Sequence, residues 1–180
     1  MMTKENFLDR IKISITKSDA EGLARAASRT SDSLNHVLDL TFHNEAEVAF
    51  RAAWVLEHSL IFNQGLPTSM LQRFLELYPK QKNRSCQRHY TKILMFYSTK
   101  DRVNSLTQYE LTDVVETTFE WLIDPETPVA VKVNCMDILF NLRNQYDWIS
   151  DELKDQIIFH LRDGSAAMQS RGKRLLKYMK

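Results

Sequence analysis

Three basic residues at helical spacing are the first candidates for chemistry in this chain. Arg84, Arg88 and Lys92 fall at i, i+4 and i+8, with Lys80 and Lys82 just ahead of them. Residues at this spacing share one face of a helix, where their cationic groups could contact successive phosphates of a nucleic acid. Solvated charge is the commoner meaning of such a stripe, and no aromatic residue interleaves it to stack on bases.

A second candidate is an aromatic stripe on the apolar helix predicted at residues 45–62. Phe50, Trp54, Glu57 and Ile61 fall at i, i+4, i+7 and i+11, roughly opposite an ordinary core face. That core face consists of Val48, Ala52, Val55, Leu56 and Ser59. A neighbouring helical repeat that covers the stripe is the first explanation. The functional alternative is an aromatic patch that anchors a partner helix or peptide.

A third candidate is a polar face near the end of the chain. Asn134, Asp137, Asn141 and Asn144 fall at i, i+3, i+7 and i+10. Asparagine is a poor helix former, so this spacing can indicate hydrogen bonding to a partner on the concave surface. A merely solvated face is the commoner explanation of such a pattern.

Metal and cofactor sites have weaker support in the sequence. His36, Asp39 and His43 share a helix face, but the two histidines are about 10 Å apart along the axis, too far for one zinc ion. The sequence contains no nucleophile elbow, phosphate-binding glycine loop or dinucleotide fingerprint. We therefore predict no metal, no cofactor and no catalytic residue.

Helices must position all of these residues. The chain has only four glycines and four prolines, and its apolar residues recur at three-and-four spacing almost throughout. The predicted helices span 4–16, 19–29, 32–43, 45–62, 68–78, 83–98, 108–123, 128–144, 150–162 and 165–179.

Polar residues, glycine and proline predict several helix boundaries. Ser31-Asp32-Ser33 is predicted to cap one helix, and the segment Asn63–Pro67 to break the chain before a cap at Thr68. Asp124-Pro125-Glu126-Thr127-Pro128 predicts a short turn between antiparallel helices, because proline cannot continue a helix but is tolerated in its first turn.

The helices also repeat. Arg51, Arg88, Lys132 and Arg171 each lie near the start of the second helix of a pair, at intervals of 37, 44 and 39 residues. A period of about 40 residues is typical of HEAT and armadillo repeats, whose helical pairs must stack to bury their apolar faces. The predicted fold is all-α, a HEAT/ARM-like α-α superhelix of about five helical pairs that forms a single domain over residues 1–180.

Four segments carry a closer resemblance. AAWVLEH at 52–58, TTFEWLI at 117–123, YDWISDELK at 146–154 and SAAMQSRGKRLLK at 165–177 resemble a family of small bacterial α-helical repeat proteins. Members of that family have no established activity, although some carry the name adenylosuccinate lyase. The resemblance therefore implies a helical repeat fold, and it raises lyase activity as a hypothesis.

The C-terminal segment is where the lyase hypothesis can be compared with the sequence. Gly164-Ser165-Ala166-Ala167-Met168 resembles the Gly-Ser-Ser-x-Met loop of the fumarase and adenylosuccinate lyase superfamily. The second serine, which removes the substrate proton in those enzymes, corresponds to Ala166. We instead predict a helix that Ser165 caps, with Met168, Gly172, Leu175, Leu176 and Met179 on one face.

Composition limits the cellular compartment and the kinds of partner that we expect. The 24 basic and 23 acidic residues give a net charge of +1, so no global field draws the chain to nucleic acid or to an anionic membrane. No apolar run approaches the roughly 20 residues of a membrane span, and the N-terminus lacks an apolar signal segment. Cys86 and Cys135 are far apart in sequence, which predicts no disulfide framework and favours the cytoplasm.

These observations favour a non-catalytic interaction or scaffold module that binds a protein or peptide on its concave surface. Phe50, Trp54, Glu57 and Ile61, with Asn134, Asp137 and Asn141, are the predicted contact residues. The alternative is a phosphate-backbone binder that uses Arg84, Arg88 and Lys92. Adenylosuccinate lyase activity is the third hypothesis.

Overall fold

The chain folds into helices along its whole described length. A computed structural model describes residues 2–62 and 68–179, and within these ranges the chain forms ten α-helices and no strand. The helices are α1 (Lys4–Lys12), α2 (Lys17–Ala27), α3 (Ser31–Leu40), α4 (Ala46–Phe62), α5 (Thr68–Leu77), α6 (Arg84–Tyr97), α7 (Thr112–Ile123), α8 (Val129–Leu142), α9 (Asp147–Asp163) and α10 (Ala166–Leu176). The predicted all-α fold class is confirmed, with each predicted helix present. None of the described helices combines the length and the apolarity needed to cross a membrane.

Local side chains set several of the helix starts. Thr16 Oγ1 accepts from the Asp19 N–H at 3.3 Å, and Asp19 Oδ2 accepts from the Thr16 N–H at 2.8 Å. This reciprocal capping box satisfies amides that have no partner inside the helix. At α3 the predicted cap of Ser31-Asp32-Ser33 is wrong, because those residues are already helical and Thr30, in extended conformation, is the N-cap. The predicted break at Asn63–Pro67 and the capping side chain of Thr68 lie outside the described residues.

The turn between α7 and α8 has the predicted form. Helix α7 ends at Ile123, and the Asp124 carboxylate accepts from the Glu126 N–H at 2.9 Å and from the Thr127 hydroxyl at 3.3 Å. Pro128 is the N-cap of α8. The Asp-Pro joint therefore ends one helix and starts its neighbour, as its sequence predicts.

The chain divides into two compact units, residues Met1–Ile93 and Leu94–Lys180. In the first unit α4 packs against α1, α2 and α3, and α5 packs against α3. In the second unit α8 packs against α7, α9 and α10, and α9 packs against α10. The assignment of residues 1–180 to a single domain stays a prediction.

An aromatic cluster in the first unit packs around Tyr90 in the middle of α6. The Tyr90 ring lies 5.0 Å from Phe74 and 6.2 Å from Tyr78, between ring centroids. Its hydroxyl lies 2.7 Å from Thr41 Oγ1, which gives the buried phenol a hydrogen-bond partner. Burial raises the pKa of Tyr90 above its ordinary value and raises that of the neighbouring Cys86 thiol to about 12, so both groups stay neutral. This apolar anchor sets which face of α6 turns toward α4.

In the second unit a glycine allows close helix packing. Gly172 on α10 is buried, and a Cβ atom there would lie 2.8 Å from the Cγ2 methyl of Ile157 on α9. A larger residue at this position would force the two helices apart. The close contact holds α10 against α9 and so places the basic residues of α10.

Candidate functional site

The aromatic stripe predicted on α4 is partly covered by α6. Glu57 is buried, whereas Phe50, Trp54 and Ile61 are half-buried. The Phe50 ring lies 5.2 Å from the imidazole of His89 on α6, and the Trp54 ring lies 6.1 Å from the imidazole of His58, between centroids. Both aromatic rings therefore have a fixed neighbour and still present surface to solvent.

Two side chains of α6 hold the Glu57 carboxylate. Glu57 Oε2 lies 2.5 Å from His89 Nδ1, and Oε1 accepts from Lys92 Nζ at 3.1 Å. Burial alone raises the pKa of the Glu57 carboxyl, but the hydrogen bond and charge of His89, together with those of Lys92, bring it below its ordinary value of 4.5. Glu57 is therefore ionised at neutral pH and ties α4 to α6.

His89 is the residue of this site that the sequence analysis missed. Its side chain is buried, and an ionised carboxylate only accepts hydrogen bonds, so we assign a proton to Nδ1. The Nε2 atom is buried and has no hydrogen-bond partner within the part of the chain that the structure describes. The one sequence signal is position, since His89 lies on α6 between the apolar stripe of Cys86, Tyr90 and Ile93 and the basic stripe.

The structure joins one member of the basic stripe to the aromatic stripe. Lys92 reaches Glu57 with its side chain 38% exposed, so its ammonium group already has a counter-ion. Arg84 and Arg88 are exposed at the start of α6. The Arg88 guanidinium forms no ion pair with any described residue. We call the surface of Phe50, Trp54, Glu57, Ile61, Arg88 and Lys92 the α4–α6 face.

The predicted polar face of α8 makes mostly intramolecular contacts. Asp137 is buried, contacts the guanidinium of Arg171, and accepts from Arg174 Nη2 at 3.2 Å. Asn141 Nδ2 donates to Ser98 Oγ at 3.2 Å, while Asn134 is half-buried. Asp137 and Asn141 thus link α8 to other parts of the second unit.

The four basic residues that defined the repeat have different partners. Arg51 donates to the Ile11 and Lys12 carbonyls at 3.3 and 3.0 Å, which caps the end of α1. Arg171 contacts Asp137, Lys132 is buried, and Arg88 is exposed. Their common period therefore reflects the repeating fold more than a shared ligand.

Two of the three residues considered for a metal site, Asp39 and His43, have structural partners. Asp39 accepts from Arg73 Nη2 at 2.5 Å and lies 3.7 Å from Lys4 Nζ, while His43 Nδ1 accepts from the Glu45 N–H at 3.1 Å. Within residues 2–62 and 68–179, no three histidine, cysteine or acidic side chains are grouped so that they could hold a metal ion.

The C-terminal segment forms the predicted capped helix. Ser165 Oγ accepts from the Met168 N–H at 3.4 Å, and residues 166–176 form α10. Met168, Gly172 and Leu175 are buried on one face, as predicted. The helix ends at Leu176, three residues earlier than expected.

Comparison with known families gives a match that covers nearly the whole chain. The model of the HEAT repeat domain matches residues 7–179. None of the curated proteins and none of the solved structures compared with the chain gives a match. The helical repeat that the periodicity predicts is thereby confirmed.

Proposed function

This chain belongs to the HEAT repeat domain family, and we propose that it is a non-catalytic module that binds a protein or peptide on the α4–α6 face. HEAT repeats generally mediate protein interactions, which makes a scaffold or interaction role the coarse function of the chain. The location of the binding site is the part that we add.

One observation carries the choice of this face. Phe50 and Trp54 keep half-exposed rings although α6 packs beside them, and both rings have fixed neighbours in His89 and His58. Rigid aromatic side chains with one open side are the residues that most often dominate protein interfaces. A partner would gain contact area here without having to order the rings first.

The charges beside the rings define the chemistry of the partner. Glu57 is buried and the ammonium group of Lys92 balances its charge, so the exposed Arg88 guanidinium gives the face a net positive charge. Arg88 lies one turn before Lys92 on the same side of α6 and is exposed. The face therefore suits an apolar side chain flanked by aspartate or glutamate. The polar positions Asn134, Asp137 and Asn141 stay a prediction for a further contact.

A tagged pull-down from native lysate tests this proposal. The wild-type chain is compared with Trp54→Ala, with and without nuclease, after circular dichroism shows that the variant is folded. Tyr178→Ala is the control, because Tyr178 is an exposed aromatic residue of the second unit that lies outside both proposed binding faces. We expect a nuclease-resistant partner that Trp54→Ala loses and Tyr178→Ala keeps. Truncation of a central tryptophan costs about 2 kcal/mol or more, which is about 30-fold in affinity.

A second variant tests the charge. Arg88→Glu should weaken the captured partner about fivefold, and the loss should shrink at high ionic strength because rim charges act through screened attraction. A partner that binds Trp54→Ala as tightly as the wild-type chain would exclude the α4–α6 face. Capture that disappears on nuclease treatment would instead favour the phosphate-binding alternative, with Arg84, Arg88 and Lys92 as its contacts.

A further inference from the structure

The solvent face of α9 combines two exposed aromatic rings with three carboxylates. Trp148, Glu152, Asp155 and Phe159 fall at i, i+4, i+7 and i+11 and so share one face, with Asp151 beside them. The Trp148 and Phe159 side chains are 43% and 64% exposed, and the three acidic residues are also exposed. Single exposed apolar residues are common on protein surfaces, but two aligned aromatic residues on one helix face are a candidate contact surface.

The Trp148 ring packs against two other aromatic rings. Its centroid lies 5.5 Å from that of Phe119, which is buried in α7, and 6.4 Å from that of Tyr146. The Phe159 ring lies 5.4 Å from its neighbour His160. Eleven residues separate the two rings, which places them about 16 Å apart along the helix axis. The face therefore presents two apolar contact points three helical turns apart.

The carboxylates between the rings lack cationic partners from the chain itself. Glu152 accepts a hydrogen bond from Gln156 at 3.0 Å, which leaves its charge in place. Asp151 and Asp155 form no ion pair with any residue that the structure describes. The negative charge between the two rings is thus uncompensated and available to an outside cation.

The spacing indicates the shape of the complementary group. The surface is the outer side of a helical rod, so a second rod that lies along it can reach both rings and the charges between them. An amphipathic helix repeats its side chains with the same period as α9, so its apolar residues can meet the rings while its basic residues meet the carboxylates.

We propose that this α9 face binds an amphipathic helix of a partner protein that carries lysine or arginine between two apolar side chains. The face belongs to the second unit, and the proposal does not depend on binding at the α4–α6 face.

Helix α7 supplies a matched control within the same unit. Asp113, Glu116 and Glu120 are exposed at i, i+3 and i+7, so α7 also carries three carboxylates on one side. Its aromatic residues, Phe119 and Trp121, are both buried. A ligand attracted by negative charge alone would respond equally to the loss of either set of carboxylates.

Fluorescence anisotropy of a labelled model peptide tests the proposal on the full chain. The probe is an amphipathic leucine–lysine helix of about 18 residues, which spans about 27 Å. A leucine–glutamate peptide of the same pattern is the opposite-charge control. We expect the combined Asp151→Asn, Glu152→Gln and Asp155→Asn changes to weaken the leucine–lysine peptide about tenfold, since each exposed pair contributes modestly. Phe159→Ser should weaken it by a similar factor.

The control variants separate this face from general attraction. The combined Asp113→Asn, Glu116→Gln and Glu120→Gln changes should alter the peptide affinity less than twofold, roughly the scale of unspecific charge effects. Trp54→Ala should leave the affinity unchanged, which distinguishes this proposal from the α4–α6 face. Phe159 is largely exposed, so its replacement should leave the fold intact, as circular dichroism can verify.

Four results would overturn the proposal. Equal losses from the α7 and α9 charge variants would show unspecific attraction. If the Trp54→Ala variant, which lacks the α4–α6 anchor, bound the leucine–glutamate peptide as tightly as the leucine–lysine peptide, charge complementarity would be excluded. Absence of binding at about 100 µM peptide would place any affinity below the useful range. Self-association of the wild-type chain that Phe159→Ser abolishes, without peptide binding, would assign the face to a second copy.

Discussion

Each of the two units buries one carboxylate on a helix and holds it from another helix of the same unit, but the partners differ in chemistry. Glu57 on α4 meets His89 and Lys92 of α6, whereas Asp137 on α8 meets Arg171 and Arg174 of α10. Both arginines are cationic at any accessible pH. One partner of Glu57 is instead an imidazole, which can donate a hydrogen bond to the carboxylate without carrying a charge.

The difference indicates which of the two buried carboxylates lies beside an open surface. Asp137 lies between two guanidinium groups, and any partner that used it would have to break a buried ion pair. Around Glu57 the charge is also neutralised, but the half-buried rings of Phe50 and Trp54 remain open beside it. In the second unit the ion pairs of the buried carboxylate therefore occupy the polar side chain of Asp137. In the first unit the corresponding contacts of Glu57 leave the neighbouring aromatic rings accessible.

The largest expected effect is the loss of Asp137. Asp137→Ala leaves Arg171 partly buried without a counter-ion, because the Arg171 side chain is only 29% exposed. We expect the free energy of unfolding of this region to fall by about 3 kcal/mol, the low end of the range for a broken buried pair, since Arg174 can turn to water. Hydrogen exchange with mass spectrometry checks this through faster exchange in α8 and α10.

Asp151→Ala is the control for that measurement, because Asp151 is exposed on α9 and should change the stability by less than about 0.5 kcal/mol. Equal effects of the two substitutions would mean that the Asp137 contacts contribute nothing specific. Effects confined to α10 would show that Arg171, and not α8, depends on the pair.

Local signals in the sequence predicted the helices well. The joint at Asp124–Pro128 has the predicted form because proline restricts the backbone whatever surrounds it. The Ser165 cap was also predictable, because its hydrogen bond to the Met168 N–H joins residues only three apart in the sequence. The cap of α3 was misplaced by one residue because Thr30, Ser31 and Ser33 all have hydroxyl acceptors, and only the backbone conformation selects among them.

The candidate sites were less predictable because their contacts are long-range. The residues of the Glu57–His89 pair are 32 apart in sequence, and periodicity within one helix cannot show which side chain of another helix lies opposite. The same limit applies to Asp137, which its spacing placed on a polar face and which Arg171 buries. The exposed rings of α9 also depend on packing, because Trp148 and Phe159 are the residue types expected in a core.

The pH dependence of the stability that Glu57 provides tests the first unit in this comparison. Burial raises the pKa of the Glu57 carboxyl, but the hydrogen bonds and charges of His89 and Lys92 outweigh it and bring the folded-state pKa below the ordinary value of 4.5. The ionised form thus stabilises the fold above that ordinary value, and this stabilisation is lost as the pH falls through the folded-state pKa. Glu57→Gln should lower the stability by about 1.5 kcal/mol at pH 7, typical of a hydrogen bond to a charged group.

The pH dependence is the specific part of that prediction. Below the folded-state pKa the wild-type carboxyl is protonated and resembles glutamine, so the difference between the two proteins should shrink toward zero. Exchange rates of α4 and α6 amides, measured for both proteins from neutral to acid pH, give this difference directly. A difference that stays constant down to the lowest pH would show that Glu57 acts through its shape and not through its charge.

The smallest expected effect distinguishes the two partners of Glu57. Lys92→Met removes a cation whose side chain is 38% exposed, while His89 still donates to the carboxylate. We expect a loss of about 0.5 kcal/mol, which decreases with added salt because the exposed ammonium group is screened. Arg171→Met in the second unit should cost about 1 kcal/mol or more, since its ion pair is less exposed and has no imidazole to replace it.

A double-mutant cycle with Glu57→Gln gives the coupling between Lys92 and Glu57. If Lys92→Met costs as much as Glu57→Gln, then Lys92 and not His89 holds the carboxylate, and the chemical difference between the two units disappears.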